Sequence, residues 1–232
     1  MSDADLDIAI PGVIDGMRYT RQGQACTAGS RVYIHEKIYD KVLEGAVEKL
    51  SKFKMGNALD EKSDIGAIIS EEQLKRTLYY MDIAKKNSST KILHGGNQSK
   101  GGEYKDGFYY QPTLLSGIPV NSPVCQEEVF GPVACAIPFK SFDEVMESAN
   151  DTQFGLSAVL WTKDLSRALQ FVDEIEAGFV QVNQCVAPRA NVSYGGIKMS
   201  GLGKEYAFDS MMNHFTQSKT ILINRGKSNI DN

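Results

Sequence analysis

Gly23-Gln24-Ala25-Cys26-Thr27-Ala28-Gly29-Ser30-Arg31 is a run of mostly small residues around one cysteine, set between an apolar helical pattern and a strand-like stretch. Upstream, Asp3 is placed to cap a helix carrying Leu6, Ile8 and Ile10, with Asp3, Asp5 and Asp7 favourable near its positive end. Pro11 lacks an N–H and is expected to kink that helix or start a new segment. Val13, Ile14, Met17 and Tyr19 then continue the apolar face, so Cys26 falls just past a helix end. Downstream, Arg31 to His35 reads as a strand. The small neighbours leave the thiol open to close approach by a small molecule, and a thiolate is a nucleophile. Free cysteine is also among the most buried residue types, so this stretch alone fits a structural thiol equally well.

Working outward, the same alternation continues. Ile38, Val42, Ala46, Leu50 and Phe53 recur at spacings of four and three and predict an amphipathic helix ended by Gly56-Asn57. Ser70 and Gln73 form a capping box before a helix with Leu74, Leu78 and Met81 on one face. Lys91 to Gly96 reads as a short strand closed by glycines, and 97–106 as a polar surface loop. Phe108 to Ile118 is strand-like, with Pro112 favouring an edge position or a bend. An apolar strand runs through Ala134, Ala136 and Ile137, and a second capping box, Ser141 with Glu144, leads Phe142, Val145, Met146 and Ala149 into a helix. Leu156 to Trp161 is nearly continuously apolar, which predicts a strand buried on both faces. Asp164 caps a helix expected to turn Leu165, Ala168, Val172 and Ile175 inward before Gly178, and Phe179 to Val182 is the next strand. Strands alternating with helices of about three turns predict an α/β fold, a three-layer domain with a largely parallel sheet. A short helix follows Tyr206, then Thr216 to Asn224, rich in Thr and Ile, reads as a final strand with no hairpin partner nearby. Domain boundaries follow as 1–208 for the thiol-bearing domain and 209–232 for a C-terminal strand and tail, with Lys227 to Asn232 frayed.

Composition narrows the function classes. The net charge of −4 gives no footprint for nucleic acid, and no basic amphipathic segment suggests a membrane surface. Met1-Ser2-Asp3 begins acidic, unlike a signal peptide, and no apolar run has the length of a spanning helix. Cys26, Cys125, Cys135 and Cys185 contain no Cys-x-x-Cys pair, which argues against a zinc site or disulfide framework. Reduced thiols in the cytoplasm, or in the mitochondrial matrix after loss of a transit peptide, are the expectation.

Gly23-Gln24-x-Cys26 followed by Ala28-Gly29-Ser30-Arg31, with Asp3-Ala4-Asp5-Leu6-Asp7 upstream, resembles the nucleophile motif of NAD(P)-dependent aldehyde dehydrogenases. Glu128-Val129-Phe130-Gly131-Pro132-Val133, by itself a turn into a buried strand, resembles that family's segment whose glutamate holds the nicotinamide ribose hydroxyls and whose phenylalanine packs by the nicotinamide. A carboxylate suits vicinal hydroxyls because it accepts two hydrogen bonds. Tyr194-Gly195-Gly196-Ile197-Lys198-Met199-Ser200-Gly201-Leu202-Gly203-Lys204-Glu205 resembles a third family motif, with Ser193 and Tyr194 where the family carries proline and phenylalanine. Gln73, sufficiently explained as a cap, also matches a family glutamine that reaches the cofactor ribose. The resemblance runs from Asp3 to about Arg225.

It implies that Cys26 is the catalytic nucleophile and that Glu128, Phe130 and Gln73 bind NAD or NADP. The segment from Gln184 to Val192 falls where the family lines its substrate passage, so Arg189, Tyr194 and Cys185 are substrate-pocket candidates, hinting at a polar or acidic aldehyde. Thr216 to Asn224 resembles the family strand that adds to a partner subunit's sheet, implying a homo-oligomer. The family's Glu-Leu-Gly-Gly segment with its general base, its upstream oxyanion asparagine and most of its cofactor domain lie upstream of anything in this sequence. The expectation is therefore a catalytic domain inert alone as a dehydrogenase. Two rivals stand beside it. One is a short non-catalytic protein that keeps the domain for self-association. The other is a cysteine hydrolase, which needs a histidine near Cys26, and only His35, His94 and His214 exist.

Overall fold

Val133 to Phe139 forms β4, the strand around which the main sheet is arranged, and alternate side chains along it feed two different cores. The computed structural model describes residues 1–224 and 226. In chain order the elements are α1 (Leu6–Gly16), β1 (Arg31–His35), α2 (Tyr39–Ser51), α3 (Glu71–Lys86), β2 (Lys91–His94), β3 (Thr113–Ser116) and α4 (Pro123–Gln126). After β4 come α5 (Phe142–Asn150), β5 (Phe154–Gly155), β6 (Ser157–Leu160), α6 (Leu165–Glu174), β7 (Phe179–Val182), β8 (Ile197–Lys198) and α7 (Phe208–Phe215). The main sheet has the order β1-β4-β3-β2. β1 and β3 lie parallel to β4, and β2 is antiparallel to β3. β6 and β7 form a separate parallel pair.

The period-two alternation of a strand sends successive side chains to opposite faces. Ala134 and Ala136, with Leu114 and Ile34, pack against α1 and α2 through Ile14, Val42, Ala46 and Leu50. Val133, Cys135 and Ile137, with Leu115, face α3 through Leu74, Tyr80, Met81 and Ala84. The result is the three-layer α/β arrangement expected from the sequence. A third core, built from Phe139, Phe142, Val145, Met146, Leu160, Ala168 and Phe171, joins α5 and α6 to β6.

Several local expectations are corrected. The first helix is capped by Asp5, whose carboxylate accepts from the Asp7 N–H, and Pro11 lies inside it rather than starting a new segment. Packing of Ile10 and Ile14 against α2 offsets the lost backbone bond. Asp3 instead reaches the start of α6: its carboxylate accepts from the Thr162 hydroxyl at 2.7 Å and from the N–H groups of Lys163 and Asp164 at 2.7 and 3.0 Å.

The strand read from Phe108 to Ile118 contracts to β3, which is central and fully buried rather than at an edge. Pro112 precedes the ladder, so its missing N–H is never needed there. β6 is shorter than the Leu156–Trp161 run, and within the strand only Leu160 is buried, because β7 is its single ladder partner among the described residues. α6 turns Ala168 and Phe171 inward, leaving Leu165 at 72% and Val172 at 46% exposure.

On α3, Leu74 and Met81 are buried whereas Leu78 is exposed, and the Gln73 side chain does not return to Ser70. Thr216 to Asn224 forms no strand: it is exposed and has no ladder partner among the described residues. The polar end expected at 227–232 lies outside them.

Candidate active site

The cysteine loop is built from left-handed backbone and buried anchors. Arg18 and Gln22 sit at φ 57° and 58°, and Gly23 at 64°. Tyr19 is buried and its hydroxyl donates to the Thr113 carbonyl at 2.8 Å, tying the loop to the entry of β3. The buried Gln22 amide donates to the Gly66 carbonyl at 2.6 Å. The Gly29 N–H donates to the Gly16 carbonyl at 3.0 Å and closes the loop against the end of α1.

On this base Cys26 is exposed, with its Sγ 3.3 Å from the Tyr194 hydroxyl. The N–H groups of Cys26 and Thr27 have no acceptor among the described residues. Arg31 does not serve the thiol. Its guanidinium donates to the Ser148 and Ala149 carbonyls and to the Tyr33 hydroxyl.

Gly23 fixes the relation of this loop to the Glu128 segment. A Cβ on Gly23 would lie 2.2 Å from the Gly131 carbonyl oxygen, so the two backbones meet where no side chain fits. Phe130 takes φ 53°, a left-handed conformation that costs a non-glycine residue roughly 1–2 kcal/mol. α3 holds it there: the Gln73 amide donates to the Phe130 carbonyl at 2.7 Å and to the Val129 carbonyl at 3.0 Å. Arg76 donates to the Glu128 carbonyl, and the Tyr80 hydroxyl donates to the Glu127 carboxylate at 2.7 Å. Burial and that carboxylate push the Tyr80 hydroxyl up to about 12, so it remains a donor. The Glu128 carboxylate itself is exposed and forms no ion pair or hydrogen bond among the described residues. It is free to accept from vicinal hydroxyls.

One cavity of about 520 Å³ brings these pieces together, with Cys26, Glu127, Glu128, Phe130 and Cys185 on its lining. α1 forms one wall through Gly12 and Gly16. A Cβ on Gly12 would fall 2.1 Å from the Trp161 ring, and one on Gly16 would fall 3.3 Å from the Cys185 Sγ. Burial pushes the half-buried Cys185 thiol up. Cys135 is also pushed well above the ordinary thiol value, by its hydrogen bond with Cys125 and by burial, as suits a core thiol.

Of the candidate residues, Cys26, Glu128, Phe130 and Cys185 share the cavity, Tyr194 touches the thiol, and Gln73 stands behind Phe130. Arg189 is exposed and does not line the cavity. His35, His94 and His214 do not line it either. Sequence reading missed Arg76, Thr77 and Tyr80. Their signal was a polar stripe at helical spacing, Gln73, Arg76/Thr77 and Tyr80, on the α3 face that meets the Glu127–Gly131 segment.

An exposed thiol and an unpaired carboxylate thus share one cavity of a three-layer α/β domain. Residues 1–221 match the aldehyde dehydrogenase family, and the chain belongs to that family. It is 38% identical to an aldehyde dehydrogenase of Rhodospirillum rubrum over 221 residues, covering 95% of this chain and 43% of that protein. Aldehyde dehydrogenase B of Escherichia coli is likewise 38% identical, with 95% and 42% covered. The solved NAD+ complex of an aldehyde dehydrogenase from Bacillus cereus superposes with a TM-score of 0.91 at 32% identity, covering 97% of this chain and 45% of that one. The chain thus spans less than half the length of the relatives it matches.

Proposed function

We propose that this chain is the thiol-bearing catalytic domain of an enzyme that oxidises an aldehyde to a carboxylic acid with NAD or NADP. The observation that carries the reading is Cys26, exposed on the same cavity as the unpaired Glu128 carboxylate. Cys26 as thiolate adds to the aldehyde carbon, giving a thiohemiacetal on the sulfur. The N–H groups of Cys26 and Thr27, which have no acceptor among the described residues, are our candidates for donors to the oxygen that becomes negative. Glu128 and Phe130 fit a nicotinamide nucleotide: the carboxylate is free for ribose hydroxyls, and the backbone of half-buried Phe130 is pinned from α3. A nicotinamide held by Glu128 and Phe130 would supply the hydride acceptor needed to take the adduct to a thioester. Water then releases the acid from Cys26. Cys185, half-buried on the cavity, is assigned to the substrate side.

Residues 1–208 make up this domain, and 209–232 are the C-terminal segment and tail. The chain carries the nucleophile and the ribose clamp without the matched family's remaining length, and is inert alone as a dehydrogenase. The purified 232-residue chain, mixed with propanal and NAD, is expected to produce no NADH absorbance at 340 nm while its thiol remains reactive. Steady NADH production would overturn the inert reading. Self-association through Thr216 to Asn224 is proposed as well, on the exposed and unpaired Ile221, Leu222 and Ile223.

A further inference from the structure

Tyr194 is held more firmly than a pocket-wall residue requires. Its backbone is locked by two bonds with Glu205: the Tyr194 N–H donates to the Glu205 carbonyl at 3.0 Å, and the Glu205 N–H donates back at 2.7 Å. Its ring is clamped edge-on between Phe179, 5.4 Å away, and Tyr206, 5.7 Å away. That clamp aims the hydroxyl at Cys26, ending 3.3 Å from Sγ. A phenylalanine would satisfy both aromatic contacts, so packing alone does not explain the hydroxyl.

We propose that Tyr194 is a catalytic residue whose hydroxyl donates a hydrogen bond to the oxyanion formed when Cys26 adds to a carbonyl carbon. The inference rests on Cys26 being the nucleophile. In the step, a sulfur lone pair forms the C–S bond and the C=O π pair moves onto oxygen. That oxygen is bonded to the carbon that sulfur has just attacked, next to the atom Tyr194 already touches. Tyr194 keeps its proton and stabilises the charge by donation. Burial, reinforced by the Cys26 contact, raises the phenol above its ordinary value, so it stays a donor through the neutral range. A sulfur that has lost its proton to attack can only accept this bond. As the charge moves from sulfur to oxygen, the donor follows it by a small rotation about the C–O bond, with no change of backbone.

The test separates oxyanion chemistry from simple thiol reactivity without a cofactor. The full chain and its Tyr194→Phe variant are mixed in single turnover with p-nitrophenyl acetate, which acylates the sulfur through an oxyanion and expels p-nitrophenolate. They are mixed in parallel with iodoacetamide, which alkylates sulfur by displacement with no oxyanion. The variant is expected to slow acylation by about 100- to 1,000-fold, the range of a lost oxyanion donor, while alkylation changes by less than about twofold. Equal slowing of both reactions would mean that the hydroxyl serves only the sulfur, and would overturn the proposal. Unchanged acylation would overturn it too. Cys26→Ala identifies the reacting thiol: a p-nitrophenol burst that survives it, or a wild-type chain with no burst, would remove Cys26 as nucleophile and the proposal with it. A circular-dichroism melt of Tyr194→Phe matching the wild type establishes that the clamp is intact.

Discussion

The Gln73 amide bridges from α3 to the Phe130 carbonyl at 2.7 Å and holds a non-glycine residue at φ 53°. Gln73→Ala removes this bond and the one to Val129, while Ser70 still caps α3 through the Gln73 N–H. Two partly buried hydrogen bonds are lost at once. Urea unfolding is expected to show a loss of about 1–2 kcal/mol, and amide exchange of Val133, whose N–H donates to the Gly131 carbonyl at 2.8 Å, to accelerate. A variant as stable as the parent, with unchanged exchange, would show that Phe130 needs no support from α3.

Gly23→Ala tests the contact between the cysteine loop and the Glu128 segment. The added methyl meets the Gly131 carbonyl at 2.2 Å, and the residue must also keep φ 64°. Overpacking and left-handed strain together are expected to cost about 2–4 kcal/mol. The loop moves rather than the sheet, so alkylation of Cys26 changes rate in the surviving folded fraction. Gly101→Ala, with open space around its Cβ, is the control for φ strain alone.

Asp3 predicts an acid limb of the stability curve. Burial by itself would raise the carboxyl, but the Thr162 hydroxyl and the N–H groups of Lys163 and Asp164 outweigh it and hold Asp3 below its ordinary value of 3.8. The folded state therefore binds this proton less readily than the unfolded state. The contribution is fully present above the ordinary value and disappears as pH falls through the lower, folded one. Thermal melts should show Asp3→Asn with a Tm about 2–4 °C below the parent at pH 7, the gap closing as pH drops below 3.8. A constant gap from neutral to acid would assign the effect to packing instead.

The C-terminal segment predicts an assembly state. Ile221, Leu222 and Ile223 are 69%, 92% and 79% exposed and have no ladder partner among the described residues. Light scattering of the parent is expected to give a mass above that of one chain, and the triple substitution Ile221→Lys, Leu222→Lys, Ile223→Lys to return it to one chain. A parent that is a monodisperse monomer would count against association through this segment.

Much of the layering was legible because its signals are periodic. Val42, Ala46 and Leu50 sit on α2 as their spacing requires, and Arg31–His35 is a strand as read. Errors arose where local pattern met a tertiary partner. Pro11 stayed helical because α2 holds α1, and Pro112 was harmless because the ladder begins one residue later. Gln73 illustrates the limit most clearly. Its position in a capping box is visible in the sequence, but the direction of its amide depends on a carbonyl 57 residues away. Cys26, Glu128 and Phe130 were legible as motifs, whereas the Sγ–hydroxyl contact with Tyr194 spans 168 residues and has no local signature.

The glycines of α1 carry one last consequence. Gly12 faces the Trp161 ring and Gly16 faces the Cys185 sulfur, each at a distance that leaves no room, or almost none, for a methyl group. The calibre of the chamber behind the thiol is thus written in atoms that α1 omits. A single methyl at either place would recut that chamber from the far side, through Trp161 or Cys185 and without meeting Cys26 or Glu128.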